Sequence, residues 1–348
     1  MEAGELYAPV QTARHNRSYH GQLFSRWGRR VTGQHTDPQL AFVFPGQGSQ
    51  SPGMLADLAQ AHPLVLETFA EASDGAGTDL WTLSQSGPED RLNQTEFTQP
   101  ALLAAGVAVW RAWLERGGVL PARLAGHSLG EYSAMVAAGV LSLGDAARLV
   151  RRRGQLMQDA APSGTGAMAA VLGAEDALVE EVCRTVSAGE VVVPANYNSP
   201  GQIVIGGHSA AVDKALVMLA ERGVRKAVKL AVSVPSHTPL MRGAADQLAT
   251  AMTDIEWRAP RVPVVQNVDA EVHDGPDAIR DGLVRQLYLP VQWTGCVQAL
   301  ATAGITRVAE CGPGKVLTGL VKRIDKSLDA RPIAAPTDFD VALADWKA

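Results

Sequence analysis

Apolar runs of strand length, each followed by a turn and then by helical periodicity, constrain this chain most. "LAFVF" (40–44), "PARLAGHS" (121–128), "VPVVQNV" (262–268) and "RVAEC" (307–311) all follow that pattern. Continuous apolar strands alternating with helices require a mainly parallel sheet covered on both faces. With 348 residues, 46% of them hydrophobic, the chain can bury the core such a sheet needs.

Residues 164–235 break the alternation. "AMAAVLG", "DALVEEVCRTVS", "VVVPANYN", "QIVIGG", "AAVDKALVMLAERG" and "AVKLAVSV" read in order as β-α-β-β-α-β, with "NSPG" as the central turn. We therefore expect a ferredoxin-like small domain over 164–235 inserted into a larger α/β domain formed by 39–163 and 236–348. Residues 1–38 stand apart. They hold Arg14, Arg17, Arg26, Arg29 and Arg30 with no acid between Leu6 and Thr36, although Glu2 and Glu5 precede them. A loosely ordered extension or an upstream translation start accounts for this better than an organellar presequence.

A formal charge of -5 and a pI near 5.9 argue against nucleic-acid binding. Cys183, Cys296 and Cys311 are too few and scattered for a disulfide framework or a zinc site, which suits a reducing compartment. No apolar run is long enough to span a bilayer. "GPGKV" is a helix-start turn rather than a phosphate loop: Ala309 stands where the first glycine is required, and Val316 follows the lysine.

The chemistry gathers at "LAGHSLGEYSAM", where Ser128 sits in G-x-S-x-G between an apolar run and a helix. That context is a nucleophile elbow, and the amide of Leu129, at the helix start, is one donor to a developing oxyanion. A serine nucleophile needs a base. Of the three histidines downstream, His208 and His273 occupy surface-like contexts, whereas His237 closes "KLAVSVPSH" beyond an apolar strand, at the sheet edge where ligands bind. No acid evidently orients it: Asp246 lies in a helical stretch outside any motif. The last carbonyls of the helix "DAIRDGLVRQLY" could take that place. In "DAARLVRRRGQLMQDA", helical geometry puts Arg153 on the stripe of Ala146, Leu149, Val150, Leu156 and Met157. An inward guanidinium should meet a carboxylate, either an internal Asp or Glu or one belonging to a substrate.

"FVFPGQGSQ", "QTEFTQPALL", "GHSLGEYSA", "RGQLMQ", "GTGAMAAVLG", "NYNSPGQIVIGG", "SVPSHTPLM", "VRQLYLPVQW" and "ECGPGKVLTGLVKRI" occur in this order. From about Leu40 to the C-terminus the chain thereby resembles the malonyl-CoA:acyl carrier protein transacylases of fatty acid synthesis. The resemblance implies an α/β-hydrolase-like large domain with a ferredoxin-like insertion. It implies Ser128 as nucleophile, His237 as base, Arg153 on the malonyl carboxylate, and Gln47 and Leu129 as backbone oxyanion donors. It gives the backbone carbonyl of Gln286 the acid's place and makes Gln99 and His127 pocket residues. Malonyl-CoA is the implied substrate and holo acyl carrier protein, bearing phosphopantetheine, the partner. No metal or redox cofactor, no membrane and no nucleic acid is implied. A cytoplasmic monomer is the expectation, with an organellar matrix as the alternative location. A discrete acyltransferase of a polyketide synthase is the nearest alternative function. A thioester hydrolase using the same serine is less favoured, because an inward Arg has no task in simple acyl hydrolysis, and a silent binding module is the least favoured.

Overall fold

The computed structural model describes residues 35–346 apart from 163 and 233. Its strands are β1 (Thr36–Phe44), β2 (Leu120–Gly126), β3 (Gly166–Leu172), β4 (Val192–Ser199), β5 (Gln202–His208), β6 (Lys226–Lys229), β7 (Val264–Val265), β8 (Arg307–Cys311) and β9 (Asp329–Ile333). The helices that bear on the site are α1 (Thr95–Glu115), α2 (Leu129–Ala137), α3 (Leu143–Ala160), α4 (Asp176–Val186), α5 (Ser209–Glu221), α6 (Pro276–Arg285), α7 (Trp293–Thr302) and α8 (Val316–Ile324).

One sheet has the order β7-β2-β1-β8-β9 and is parallel throughout. The reason for the unbroken apolar run in β1 is that both faces are covered. Phe42 meets Trp110 and Trp113 of α1 edge-on, with ring centroids 5.4 and 5.3 Å away. Ala41 and Val43 point the other way, into a core with Trp293, Val297 and Leu300 of α7 and Leu317, Leu320 and Val321 of α8. Alternation along the strand thus feeds two apolar layers.

The second sheet has the order β4-β5-β3-β6 and is antiparallel. Its elements follow one another as β3-α4-β4-β5-α5-β6, and Val171, Ile203 and Ile205 pack against Val179 and Val182 of α4 and Val212 and Leu219 of α5. Backbone bonds from Tyr197 N–H to Val291 O and from Val291 N–H to Ala195 O, each 2.9 Å, join β4 to the segment entering α7.

Three sequence expectations change. The strand expected over 227–234 is β6, which ends at Lys229. It is an edge strand with β3 as its only neighbour, and Val228 is 53% exposed, so the apolar run is not a buried one. His237 therefore does not sit at the end of a strand of the parallel sheet; it lies in the connection between the two sheets. The strand "VPVVQNV" contracts to Val264–Val265, because Gln266 N–H turns back to Glu271 O, 2.9 Å away. The extension set off as 1–38 gives way at Thr36, where β1 begins with Asp37 buried against Arg307 (2.6 Å). Residues 1–34, with the extension and presequence readings placed on them, lie outside the described residues. Among the described residues no helix is long and apolar enough to cross a membrane.

Candidate active site

The C-terminal ends of β1, β2 and β7 converge, and the chain turns there at Ser128. The glycines of G-x-S-x-G serve close approach rather than an unusual backbone angle. A Cβ at Gly126 would collide with the backbone of Gly130 and Glu131, and one at Gly130 with the carbonyl oxygen of Phe44 at the end of β1. The strained conformation belongs to the serine itself, at φ 52° and ψ -108°. His237 also has positive φ, at 62°. Asn267, just past β7, braces the elbow: its Oδ1 accepts from Ser128 N–H at 2.7 Å, and its Nδ2 donates to Gly126 O at 2.7 Å.

His237 is buried, and its Nδ1 lies 2.6 Å from Gln286 O. A carbonyl can only accept, so Nδ1 carries the proton and Nε2 offers its lone pair to the Ser128 hydroxyl 2.8 Å away. Gln286 is the residue that closes α6, and His237 N–H also donates to Leu287 O at 2.9 Å. Asp246 is exposed on a separate helix and takes no part. Burial, reinforced by the charge of Arg153, pushes the imidazole down to about 3, so it is neutral and able to accept a proton throughout the physiological range. The other two histidines lie elsewhere. His208 Nδ1 accepts from Val191 N–H, and His273 pairs with Asp269 at 3.2 Å.

Arg153 faces inward, 1% exposed. The neighbouring Gly154 lets α3 lie close against α1, since a Cβ there would come 2.6 Å from Glu96 Cα. Among the described residues the guanidinium meets no carboxylate, which removes the internal ion pair considered from the sequence. Its Nη1 donates to Gln99 Oε1 and its Nη2 to Gln286 Oε1, each 2.9 Å, and Nη2 lies 3.4 Å from Ser128 Oγ. The ring of Tyr132 lies 5.5 Å beneath it, and Nε has no partner. A buried cation held by neutral oxygens beside a nucleophile retains attraction for an anionic group.

The remaining expected residues border this centre. Leu129 opens α2, so its N–H has no acceptor within the helix. Gln47 is exposed on the loop after β1, where the preceding Gly46 lies against the backbone of His127. His127 Nε2 lies 2.8 Å from Asn198 Oδ1, linking the elbow to β4. Sequence reasoning missed Asn267, Gln266 and Glu131. Glu131 is fully buried on α2 and accepts from Gln266 Nε2, Asn267 N–H and Gln286 Nε2, each at 2.9 Å. Burial pushes its carboxyl up to about 7 against those three donors. An acid three residues after the serine, on a helix buried on all sides, was the available signal. Among the described residues no group of three or more His, Cys, Asp or Glu could hold a metal ion.

A family model described as "Acyl transferase domain" matches residues 41–335. The malonyl CoA-acyl carrier protein transacylase of Escherichia coli (strain K12) is 55% identical over 305 residues, 88% of this chain and 99% of that protein. The crystal structure of malonyl-CoA:acyl carrier protein transacylase from Xanthomonas oryzae pv. oryzae is similar with a TM-score of 0.89 and 73% identity, covering 90% of this chain and all of that one (100%). A structure of a type II PKS acyl-carrier protein in complex with its malonyl-transacylase is similar with a TM-score of 0.87 and 52% identity, covering 88% and 99%.

Two outcomes are expected. Gly130→Ala should cost about 3 kcal/mol of stability, because the Phe44 carbonyl has nowhere to move; an unchanged denaturant midpoint would show that the elbow has room. Acylation of Ser128 by a neutral ester should keep its rate from about pH 8 to about pH 5, with its acid limb lower still. A fall centred at the ordinary histidine value of about 6.5 would show that burial does not hold His237 neutral.

Proposed function

We infer the chemistry of this chain from one premise: it belongs to the acyl transferase domain family, among the malonyl CoA-acyl carrier protein transacylases. It is an acyltransferase that moves the malonyl group of malonyl-CoA to acyl carrier protein in fatty acid synthesis. The transfer is ping-pong through a serine ester. The finer fold reading is part of the same inference. The parallel sheet and its helices form an α/β-hydrolase-like large domain from residues 36–163 and 236 onward, and 164–235 form a ferredoxin-like small domain. The element order β3-α4-β4-β5-α5-β6 and the sheet order β4-β5-β3-β6 support it.

Ser128 Oγ attacks the thioester carbonyl as His237 Nε2 takes its proton, across the 2.8 Å contact already in place. The backbone N–H groups of Leu129 and Gln47 receive the oxyanion. CoA leaves as the thiol with the proton from His237, and the malonyl group remains as an ester of Ser128. The phosphopantetheine thiol of the carrier then gives its proton to His237 and attacks that ester, and the proton returns to Ser128. The reaction consumes substrates and calls on no resident cofactor. Gln99 and His127 line the acyl pocket.

The observation that carries this reading is Arg153, buried, with no carboxylate partner and 3.4 Å from the nucleophilic oxygen. In a malonyl thioester one methylene separates the carboxylate from the reacting carbonyl. A group forked on Arg153 therefore presents that carbonyl to Ser128. Losing a desolvated Arg–carboxylate pair costs about 2 to 5 kcal/mol, whereas one methyl more or less is worth about 1 to 3 kcal/mol. Discrimination is stronger against acetyl than against methylmalonyl.

Labelled malonyl-CoA should acylate the protein at Ser128 and then label holo acyl carrier protein, and Ser128→Ala should yield no adduct by intact-protein mass spectrometry. Label released chiefly as free malonate would overturn the transferase reading in favour of a hydrolase. Arg153→Ala should lower malonyl kcat/KM at least about thirtyfold while changing acetyl transfer far less; equal losses would make Arg153 a structural residue.

A further inference from the structure

The buried carboxylate of Glu131 touches none of the reacting groups, yet it is one contact away from the guanidinium that faces them. Its three partners are all donors: Gln266 Nε2 on Oε1, and Asn267 N–H and Gln286 Nε2 on Oε2, each at 2.9 Å. Among the described residues no cation pairs with it. The Gln286 amide has one donor end and one acceptor end. Glu131 and Ser128 O (3.0 Å) engage the donor end, which leaves Oε1 facing Arg153 Nη2 at 2.9 Å. Turning that amide over would set its NH2 against the guanidinium and its oxygen against the carboxylate, two repulsive contacts in place of two attractive ones.

We propose that Glu131 is a positioning residue for malonyl recognition: by fixing which end of the Gln286 amide faces Arg153, it holds the guanidinium aimed at the carboxylate of the acyl group. The backbone carbonyl of Gln286, which orients His237, is untouched by the side chain's orientation. Glu131 thus acts on the carboxylate clamp and leaves the nucleophile and base alone. A carboxyl group that only supported the elbow through Asn267 would affect every acyl group alike. The proposal rests on Arg153 as the clamp.

Glu131→Gln tests it, since an amide there must turn its own NH2 toward one of three donors, and the Gln286 amide is the member free to reverse. Transfer of malonyl and of acetyl from their CoA thioesters to holo acyl carrier protein is measured at about pH 8, where the carboxylate is ionised. The expected result is a malonyl KM raised roughly tenfold or more, the loss typical of a hydrogen bond to a charged group, with kcat changed less and acetyl kcat/KM within about twofold. Glu131→Asp, one methylene too short to reach Gln286, should show the same selective loss. Equal losses for both acyl groups, or an unchanged malonyl KM in a folded variant, would overturn the proposal. Collapse of the unfolding midpoint in both variants would overturn it too, because Glu131 would then serve the fold. Arg153→Ala run alongside separates the two readings. If it loses both acyl groups alike, the clamp itself fails; if it loses malonyl selectively while Glu131→Gln does not, only the present proposal falls.

Discussion

The site depends on what the C-terminal end of α6 offers from a single residue. Helix ends leave carbonyls without partners, and Gln286 uses one of them, at 2.6 Å, to fix the tautomer of His237. Its side chain, 2.9 Å from Arg153, belongs to a separate set of bonds. One residue therefore coordinates the proton acceptor through its backbone and the anion-binding group through its amide. Deprotonation of Ser128 and placement of the acyl group share a common anchor, which keeps them in register without a carboxylate beside the histidine.

That arrangement also resolves an electrostatic difficulty. Glu131 and Arg153 are both buried, and an unpaired buried charge is costly. A direct bridge between them would relieve the cost but would occupy the guanidinium fork. The Gln286 amide stands between, satisfying the carboxylate with its NH2 and the guanidinium with its oxygen. Each charge is hydrogen-bonded and neither is neutralised. The tyrosine ring beneath Arg153 completes the cradle without adding a competing anion.

How much of this was legible in the sequence depends on the range over which each signal acts. Ser128 and Arg153 announce themselves locally, one through the strand-turn-helix around it and the other through its place on an apolar helical stripe. The need for a substitute acid at His237 followed from the absence of any suitable aspartate, and the end of "DAIRDGLVRQLY" is where the substitute lies. His237 was reached by a faulty step, however, because the strand before it is a short exposed edge of the antiparallel sheet. Asn267, Gln266 and Glu131 were invisible for a different reason. Each acts across more than one hundred residues of chain or through a neighbour's amide, and periodicity within a window carries no trace of such partners. The elbow glycines were recognised but misjudged: they admit the end of β1 and the following helix, while the unusual backbone angles fall on the serine.

Ser128 and His237 both hold backbone conformations that residues with a Cβ avoid, at a cost of about 1 to 3 kcal/mol each. The packing of Gly130 on Phe44 and the bonds from Asn267 and Leu287 maintain them. Sheets and helices can form before those contacts do, so a loosened form of the chain would keep its secondary structure while the serine relaxed away from the histidine. Turnover is accordingly a stricter gauge of the native state than helix and strand content, and stored or heated preparations lose competence before they lose shape.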